Sequence, residues 1–245
     1  MPIKSVRSSQ SGDAGNARKR ALRPKDAATL IIYRREGKDI SLLMGKRAST
    51  HVFYPGAFVF PGGRVERGDR FAPAVDRLHP VVEGKLLKMA GPRTDAMRAR
   101  AFALAAVREA YEEMGVLIGE PAESVPSVSD PEWAAFLAHG IVPSISRLRF
   151  VARAITPPSQ PRRFDARFFA VEADAIARSV EVPDKELEAP AWVTLPEARE
   201  LNLPRITRLV IDELEPKIRN RDQIDPNSEI TMRRMEYGTF RRYVL

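Results

Sequence analysis

Three glutamates with helical spacing are the residues of this sequence best suited to chemistry. Glu109, Glu112 and Glu113 lie in the stretch REAYEE, three and four positions apart. On a helix these carboxylates share one face and repel each other by about 0.2–0.5 kcal/mol per pair. A hard divalent cation with oxygen ligands removes this repulsion, and Arg108 can hold one carboxylate by a two-pronged hydrogen bond. The residues alone leave two interpretations open, a metal site and a solvated acidic surface.

These glutamates need a long helix, and the sequence predicts one over 94–114. Thr94 is a suitable N-cap, and Gly115 suits the position after the last turn. Upstream, the short apolar stretch 57–60 predicts a strand that enters a Gly62-Gly63 turn. Glycine lets the backbone approach a ligand closely, so the turn is a second candidate part of the site.

The remaining patterns predict one α/β domain with a mixed sheet between helical layers. Residues 70–93 contain three prolines and predict an irregular insertion with one short helix. The other predicted elements are strands over 28–35, 40–47, 148–156, 166–173 and 191–195, and helices over 130–140, 195–202 and 204–218.

Composition narrows the class of protein. The chain has 245 residues, of which 44% are hydrophobic, so it can bury a sizeable core. It contains no cysteine, which excludes disulfides, thiolate-bound zinc and a cysteine nucleophile. No apolar run approaches the roughly 18 residues of a membrane span. These features favour a cytoplasmic protein without a membrane partner.

The positive charge is concentrated at the start of the chain. Residues 1–26 hold seven basic and two acidic side chains, which account for +5 of the formal net charge of +8. We therefore expect a disordered basic tail over 1–26, a folded domain over 27–220 and a C-terminal extension over 221–245. A transit peptide or an RNA-binding arm is an alternative for the tail, although the nearly balanced domain speaks against nucleic acid as the main partner.

The Gly-Gly turn and the acidic helix together resemble the two halves of the Nudix box. Gly63, five residues and Asp69 match its first half, and REAYEEMGV matches its second half in register. Two departures stand out. Asp69 replaces a glutamate of the box, and residues 70–107, 38 positions, stand where the box has seven. A long loop adds little closure entropy, because that cost grows only with the logarithm of loop length.

The resemblance implies a Nudix-type α/β/α sandwich with an insertion inside the box. It also implies that Glu109, Glu112 and Glu113 hold Mg²⁺ or Mn²⁺, with the Gly63 carbonyl completing the shell and Arg108 orienting the carboxylates. The long insertion is similar to that of the acyl-coenzyme A diphosphatase branch. Three further segments, 46–63, 155–169 and 186–198, resemble that branch as well.

From this branch the resemblance implies substrate contacts by Arg47, Phe60, Gly62 and Gly63, and an outlying acidic residue in segment 186–198. In segment 155–169, the basic pair Arg162 and Arg163 can bind phosphates, and so can Arg167, which follows them. For the pair, an exposed loop is the alternative. For the residue that accepts the proton of the attacking water, Glu109 and Glu186 remain the two candidates.

The expected activity is metal-dependent cleavage of a diphosphate bond in coenzyme A or its thioesters. This would release a phosphopantetheine species and adenosine 3′,5′-bisphosphate, with a nucleotide-type small molecule as the partner. The alternatives are another Nudix substrate (a nucleotide sugar, a dinucleoside polyphosphate or NADH), a non-catalytic nucleotide sensor, and an RNA-binding role of the tail. Three roles stay open for the insertion at about 70–100, namely a substrate cap, a contact in a homodimer and inert filler.

Overall fold

The computed structural model describes residues 22–48, 54–89, 95–181, 187–220 and 223–244. Within these residues a nine-stranded mixed sheet has the order β10-β2-β1-β8-β7-β11-β12, with β3 paired to β2 and β4 paired to β1. Its strands are β1 Lys25–Glu36, β2 Asp39–Arg47, β3 Phe58–Val59, β4 Gly62–Arg64, β7 Arg149–Ile155, β8 Phe164–Glu172, β10 Leu187–Thr194, β11 Thr231–Glu236 and β12 Thr239–Val244. A smaller sheet of order β6-β5-β9 is formed by β5 Val116–Pro121, β6 Ile141–Pro143 and β9 Ile176–Ser179.

Helices cover both faces of the main sheet, as the α/β/α prediction requires. The described helices are α1 Pro80–Met89, α2 Ala96–Met114, α3 Pro131–Leu137, α4 Leu195–Glu200 and α5 Arg205–Arg219. Strand β1 alternates between two cores, because Leu30 and Ile32 pack with α1, α2 and α3, whereas Ile31 and Tyr33 pack with α4 and α5. This burial on both faces explains why β1 is a nearly continuous apolar run.

The long helix α2 carries the glutamates and begins two residues later than predicted. Its N-cap is Asp95, whose side chain accepts a hydrogen bond from the backbone N–H of Arg98; the predicted cap Thr94 lies outside the described residues. Gly115 ends the helix with φ of 72°, in the left-handed region that favours glycine. The helix is rich in buried alanines, and these small side chains let it approach the sheet closely.

The insertion folds onto the α2 side of the sheet. It contains the one short helix that was predicted, α1, whose Val82 and Leu86 are buried in the core. Asp76 anchors the segment before α1 by accepting hydrogen bonds from Ser144 Oγ and from the backbone N–H groups of residues 145 and 146. The described part of the insertion is therefore an integral piece of the core.

The two ends of the predicted domain differ from the structure. Strand β1 begins at Lys25, so the predicted tail boundary at residue 26 falls inside a strand. At the other end, the extension supplies the hairpin β11–β12, and β11 pairs in parallel with β7. The predicted strand 57–60 is shorter than expected, because only Phe58 and Val59 pair with β2. No described helix is long and apolar enough to cross a membrane.

Candidate active site

Arg108 is the centre of the candidate site and lies almost fully buried, with 3% of its side chain exposed. Its Nη1 donates to Glu109 Oε1 at 3.0 Å and to Glu112 Oε2 at 2.9 Å. On its other side, Nε and Nη2 donate to the Asp69 carboxylate at 2.9 and 3.1 Å. One guanidinium therefore fixes three carboxylates.

Asp69 holds this arginine from within the protein interior. Its side chain is completely buried, and it accepts further hydrogen bonds from Trp133 Nε1 at 3.1 Å and from the backbone N–H of Glu66 at 2.7 Å. The residue lies in a short 3₁₀ turn, Gly68–Arg70, that packs against α2. Aspartate, with its shorter reach, is thus close enough to Arg108 to form two parallel hydrogen bonds.

The Gly-Gly turn touches the glutamates directly. The backbone N–H of Gly62 donates to Glu113 Oε2 at 2.7 Å. A Cβ at Gly63 would lie 2.4 Å from Glu109 Oε1, and a Cβ at Gly62 would lie 2.6 Å from the Ala28 carbonyl oxygen. A side chain at Gly62 would thus collide with backbone, and one at Gly63 would displace the Glu109 carboxylate. Both glycines belong to β4, so the two halves of the box meet despite the 38 residues between them.

The carboxylates of this cluster are short of positive charge. Burial raises the pKa of Glu109 from 4.5 to about 7, with Arg108 opposing the shift and Glu112 adding to it. Burial also raises the pKa of Glu112, and its Oε1 is buried without a hydrogen-bond partner. Glu113 is itself 4% exposed. Such a cluster of anionic oxygens fits a hard divalent cation, which prefers oxygen ligands.

Within the described residues, no three His, Cys, Asp or Glu side chains converge in an arrangement that would hold a metal ion. The hydrogen bonds explain this. Arg108 holds Glu109 and Glu112, while the Gly62 N–H holds Glu113. The donor chemistry and the unpartnered Glu112 oxygen nevertheless suit a divalent cation.

A cavity of about 910 Å³ opens beside this cluster. Among the predicted site residues, it is lined by Arg47, Gly62, Gly63, Arg108, Glu109, Glu112, Glu113 and Arg162. Phe60 is 4% exposed and belongs to the core on the α5 side. Arg163 donates to the carbonyl oxygens of Thr156 and Leu22 and does not line the cavity. Glu186 lies outside the described residues.

Two further positions are placed by the structure. Arg167 is 2% exposed and pairs with Asp26 and Asp165, so it is engaged within the sheet and not available to a phosphate. Burial lowers the pKa of its guanidinium, against the attraction of Asp165 and Asp26. Asp165 is therefore a partner of arginines, since it also binds Arg153.

Sequence reasoning missed two groups of lining residues. Glu132 of α3 lines the same cavity, and its Oε2 lies 3.9 Å from Arg108 Nη1. Arginines of α5 and of the C-terminal hairpin line the opposite end. The hairpin had a readable signal, since TMRRMEYGTFRRYV places two similar six-residue runs on either side of a Tyr-Gly pair. Both turn residues, Tyr237 and Gly238, have positive φ, 48° and 79°. Glu132 had no comparable signal.

Comparison with solved structures shows which class of protein the fold resembles. A crystal structure of a NUDIX hydrolase from Alicyclobacillus acidocaldarius matches with a TM-score of 0.56 and 27% identity, covering 78% of this chain and 90% of that one. No family model matches the chain. The fold and the box at its site therefore resemble those of Nudix hydrolases.

Sequence comparison points to one branch of that class. The acyl-coenzyme A diphosphatase NUDT19 of Gallus gallus is 29% identical over 211 residues, covering 66% of this chain and 56% of the relative. A nudix hydrolase of Caenorhabditis elegans is 28% identical over 162 residues, covering 61% of this chain and 45% of the relative. The chain spans about half the length of these curated relatives. It resembles the long-insert acyl-coenzyme A diphosphatase branch.

Proposed function

We propose that this protein is a metal-dependent hydrolase of a diphosphate linkage in coenzyme A or an acyl-coenzyme A. One observation carries the proposal. A buried arginine gathers the box carboxylates against a Gly-Gly turn at the wall of a large cavity. A purely structural acidic helix has no need to bury Glu113, to leave only 13% of the Glu109 side chain exposed, or to leave a Glu112 oxygen without a partner.

The residues that would hold Mg²⁺ or Mn²⁺ are Glu109, Glu112 and Glu113, with the carbonyl of Gly63. A bound divalent cation supplies Lewis-acid chemistry, which acidifies water and stabilises charge on phosphoryl oxygens. Arg108 keeps two of the carboxylates oriented and adds fixed positive charge close to the diphosphate.

In the reaction, the oxygen of a water molecule forms a bond to one phosphorus of the diphosphate, and the bridging P–O bond breaks. Glu109 or Glu186 takes the proton of that water. For coenzyme A the products are a phosphopantetheine species and adenosine 3′,5′-bisphosphate.

The substrate class rests on similarity and on chemistry. The Gallus gallus relative is named as an acyl-coenzyme A diphosphatase, and the segments 46–63, 155–169 and 186–198 resemble that branch. Arg47 and Arg162 line the cavity and can bind phosphate oxygens with the fork of the guanidinium.

A substrate panel tests this proposal. Coenzyme A, short and long acyl-coenzyme A, ADP-ribose and NADH are incubated with Mg²⁺ or Mn²⁺, and release of adenosine 3′,5′-bisphosphate is measured. We expect release from coenzyme A or its thioesters, and loss of turnover in Glu112→Gln and Glu113→Gln with an unchanged far-UV spectrum. The exposed Glu123→Gln serves as the matched control and should keep wild-type turnover. Cleavage of ADP-ribose or NADH alone would assign another Nudix substrate, and wild-type rates in both site variants would remove the metal site.

A further inference from the structure

The cavity continues well past the glutamates to a second end formed by α5 and the C-terminal hairpin. Arg205 at the start of α5 and Arg241 and Arg242 of β12 line this end. The wall between the two ends is apolar, and it includes Ile206, Leu209 and Phe240. One cavity thus joins an acidic end to an end rich in arginine.

The floor between the two ends is a row of small side chains. Ala27 of β1 pairs in register with Ala166 of β8, which pairs with Ala154 of β7, and all three line the cavity. The row continues to Arg64 of β4 on one side and to Arg233 of β11 on the other. These two positions are four strands apart, which corresponds to about 19 Å at the usual strand spacing. A ligand that reaches both ends must therefore be extended.

The charge at the arginine end exceeds what its neighbours neutralise. Glu213 of α5 pairs with Arg233 and also lies 3.3 Å from Arg242 Nε. Arg205 and Arg241 form no ion pair with any residue that the structure describes. Arg205 instead lies against the Phe240 ring, at 5.5 Å from its centroid. Glu236 of β11, which pairs with Arg234, also attracts Arg241, so five arginines and two glutamates leave a net charge of +3 at this end.

We propose that this arginine end is a second anion site, which binds an anionic group of the substrate remote from the diphosphate that is cut. The inference rests on the proposed function and names a recognition element of the same cavity. Guanidinium groups bind phosphate and carboxylate oxygens by paired hydrogen bonds, and the alanine floor leaves room for the chain that links the two groups. The hairpin is then a part of the substrate site.

Two anionic groups of the proposed substrates share this chemistry, and matched pairs distinguish them. Coenzyme A and dephospho-coenzyme A differ by one phosphomonoester. Succinyl-coenzyme A and butyryl-coenzyme A differ at the acyl end, where only the first has a carboxylate. For each pair we would measure kcat/KM by product release, and affinity by calorimetry with the metal chelated, in wild-type protein and in Arg205→Gln and Arg241→Gln. Arg234→Gln is the control, because Arg234 lies on the same hairpin, pairs with Glu236 and does not line the cavity.

We expect the kcat/KM and affinity of the wild-type protein to be about tenfold or more higher for the more anionic member of one pair, since hydrogen bonds between charged groups are strong. Each cavity variant should remove most of that preference. The control should keep the preference. The affected pair identifies the phosphate or the carboxylate as the bound group. Equal effects on both members of each pair, or no preference in the wild type, would overturn the second anion site. If no coenzyme A compound is cleaved, the proposed function fails, and the calorimetric ratios still decide this inference.

Discussion

The buried pair of Arg108 and Asp69 gives the sharpest test of how the site is built. In Asp69→Asn the side chain keeps its size but loses its charge, and an NH₂ group replaces one of the two oxygens that accept from Arg108. The guanidinium would then face a donor where it now finds an acceptor. Arginine keeps its proton in proteins, and Glu109 and Glu112 still attract Arg108 in this variant, so the arginine cannot escape the conflict by losing its proton.

The expected loss follows from burial. Removing one partner of a buried ion pair costs about 3–5 kcal/mol, because a charge is left uncompensated in the interior. Glu109 and Glu112 still contact Arg108, so we expect the lower end, about 3 kcal/mol. In a chain of this size that corresponds to a fall in Tm of about 6–12 °C. Urea unfolding at pH 7.5 followed by circular dichroism measures the free energy of unfolding.

Asp174→Asn is the matched control, because Asp174 pairs with Arg147 at the surface, where 65% of its side chain is exposed. An exposed pair contributes about 0–1 kcal/mol, so this variant should unfold almost like the wild type. If the free energy of unfolding of Asp69→Asn falls by no more than that of the control, the reasoning that assigns Arg108 and Asp69 a structural clamp is refuted.

Two further predictions concern the same cluster. Gly63→Ala should lower turnover about a hundredfold, because the new methyl group displaces Glu109. Its control Gly84→Ala has open space around the added carbon and should keep full activity. Burial raises the pKa of Glu109 from 4.5 to about 7. Between these two pH values the metal-free folded state binds more protons than the unfolded state. The free energy of unfolding should therefore fall as the pH rises across that interval, by about 3 kcal/mol at most. Unfolding in EDTA between pH 5 and 8 measures this, and a Glu109→Gln variant with the same slope would contradict it.

Much of the fold was predictable because its signals are local. The caps Asp130 and Gly115 and the apolar run of β1 each act within a few residues, and each element forms where its pattern indicates. The glutamates were recognisable for the same reason, since helical spacing alone brings Glu109, Glu112 and Glu113 to neighbouring positions.

Properties that depend on distant contacts were not predictable. The sequence places Asp69 in the first half of the box, but its burial depends on Trp133, which is 64 residues away. Arg167 looks like a phosphate ligand until its partner Asp26, 141 residues distant, is seen. Both are charges that must be paired when buried, and a single sequence does not reveal which pairs tertiary packing will form.

The clamp also explains how the box accommodates an insertion of this length. In a short box the chain itself would keep the Gly-Gly turn next to the helix. Here the hydrogen bonds of Arg108 to Asp69 and to the Arg64 carbonyl, together with that of Gly62 to Glu113, connect the two halves directly. These hydrogen bonds hold the two halves together, which a short connecting chain would otherwise do. Closing a longer loop adds only a small entropic cost. None of the described residues 70–89 lines the cavity, so this part of the insertion adds core on the α2 side without covering the site.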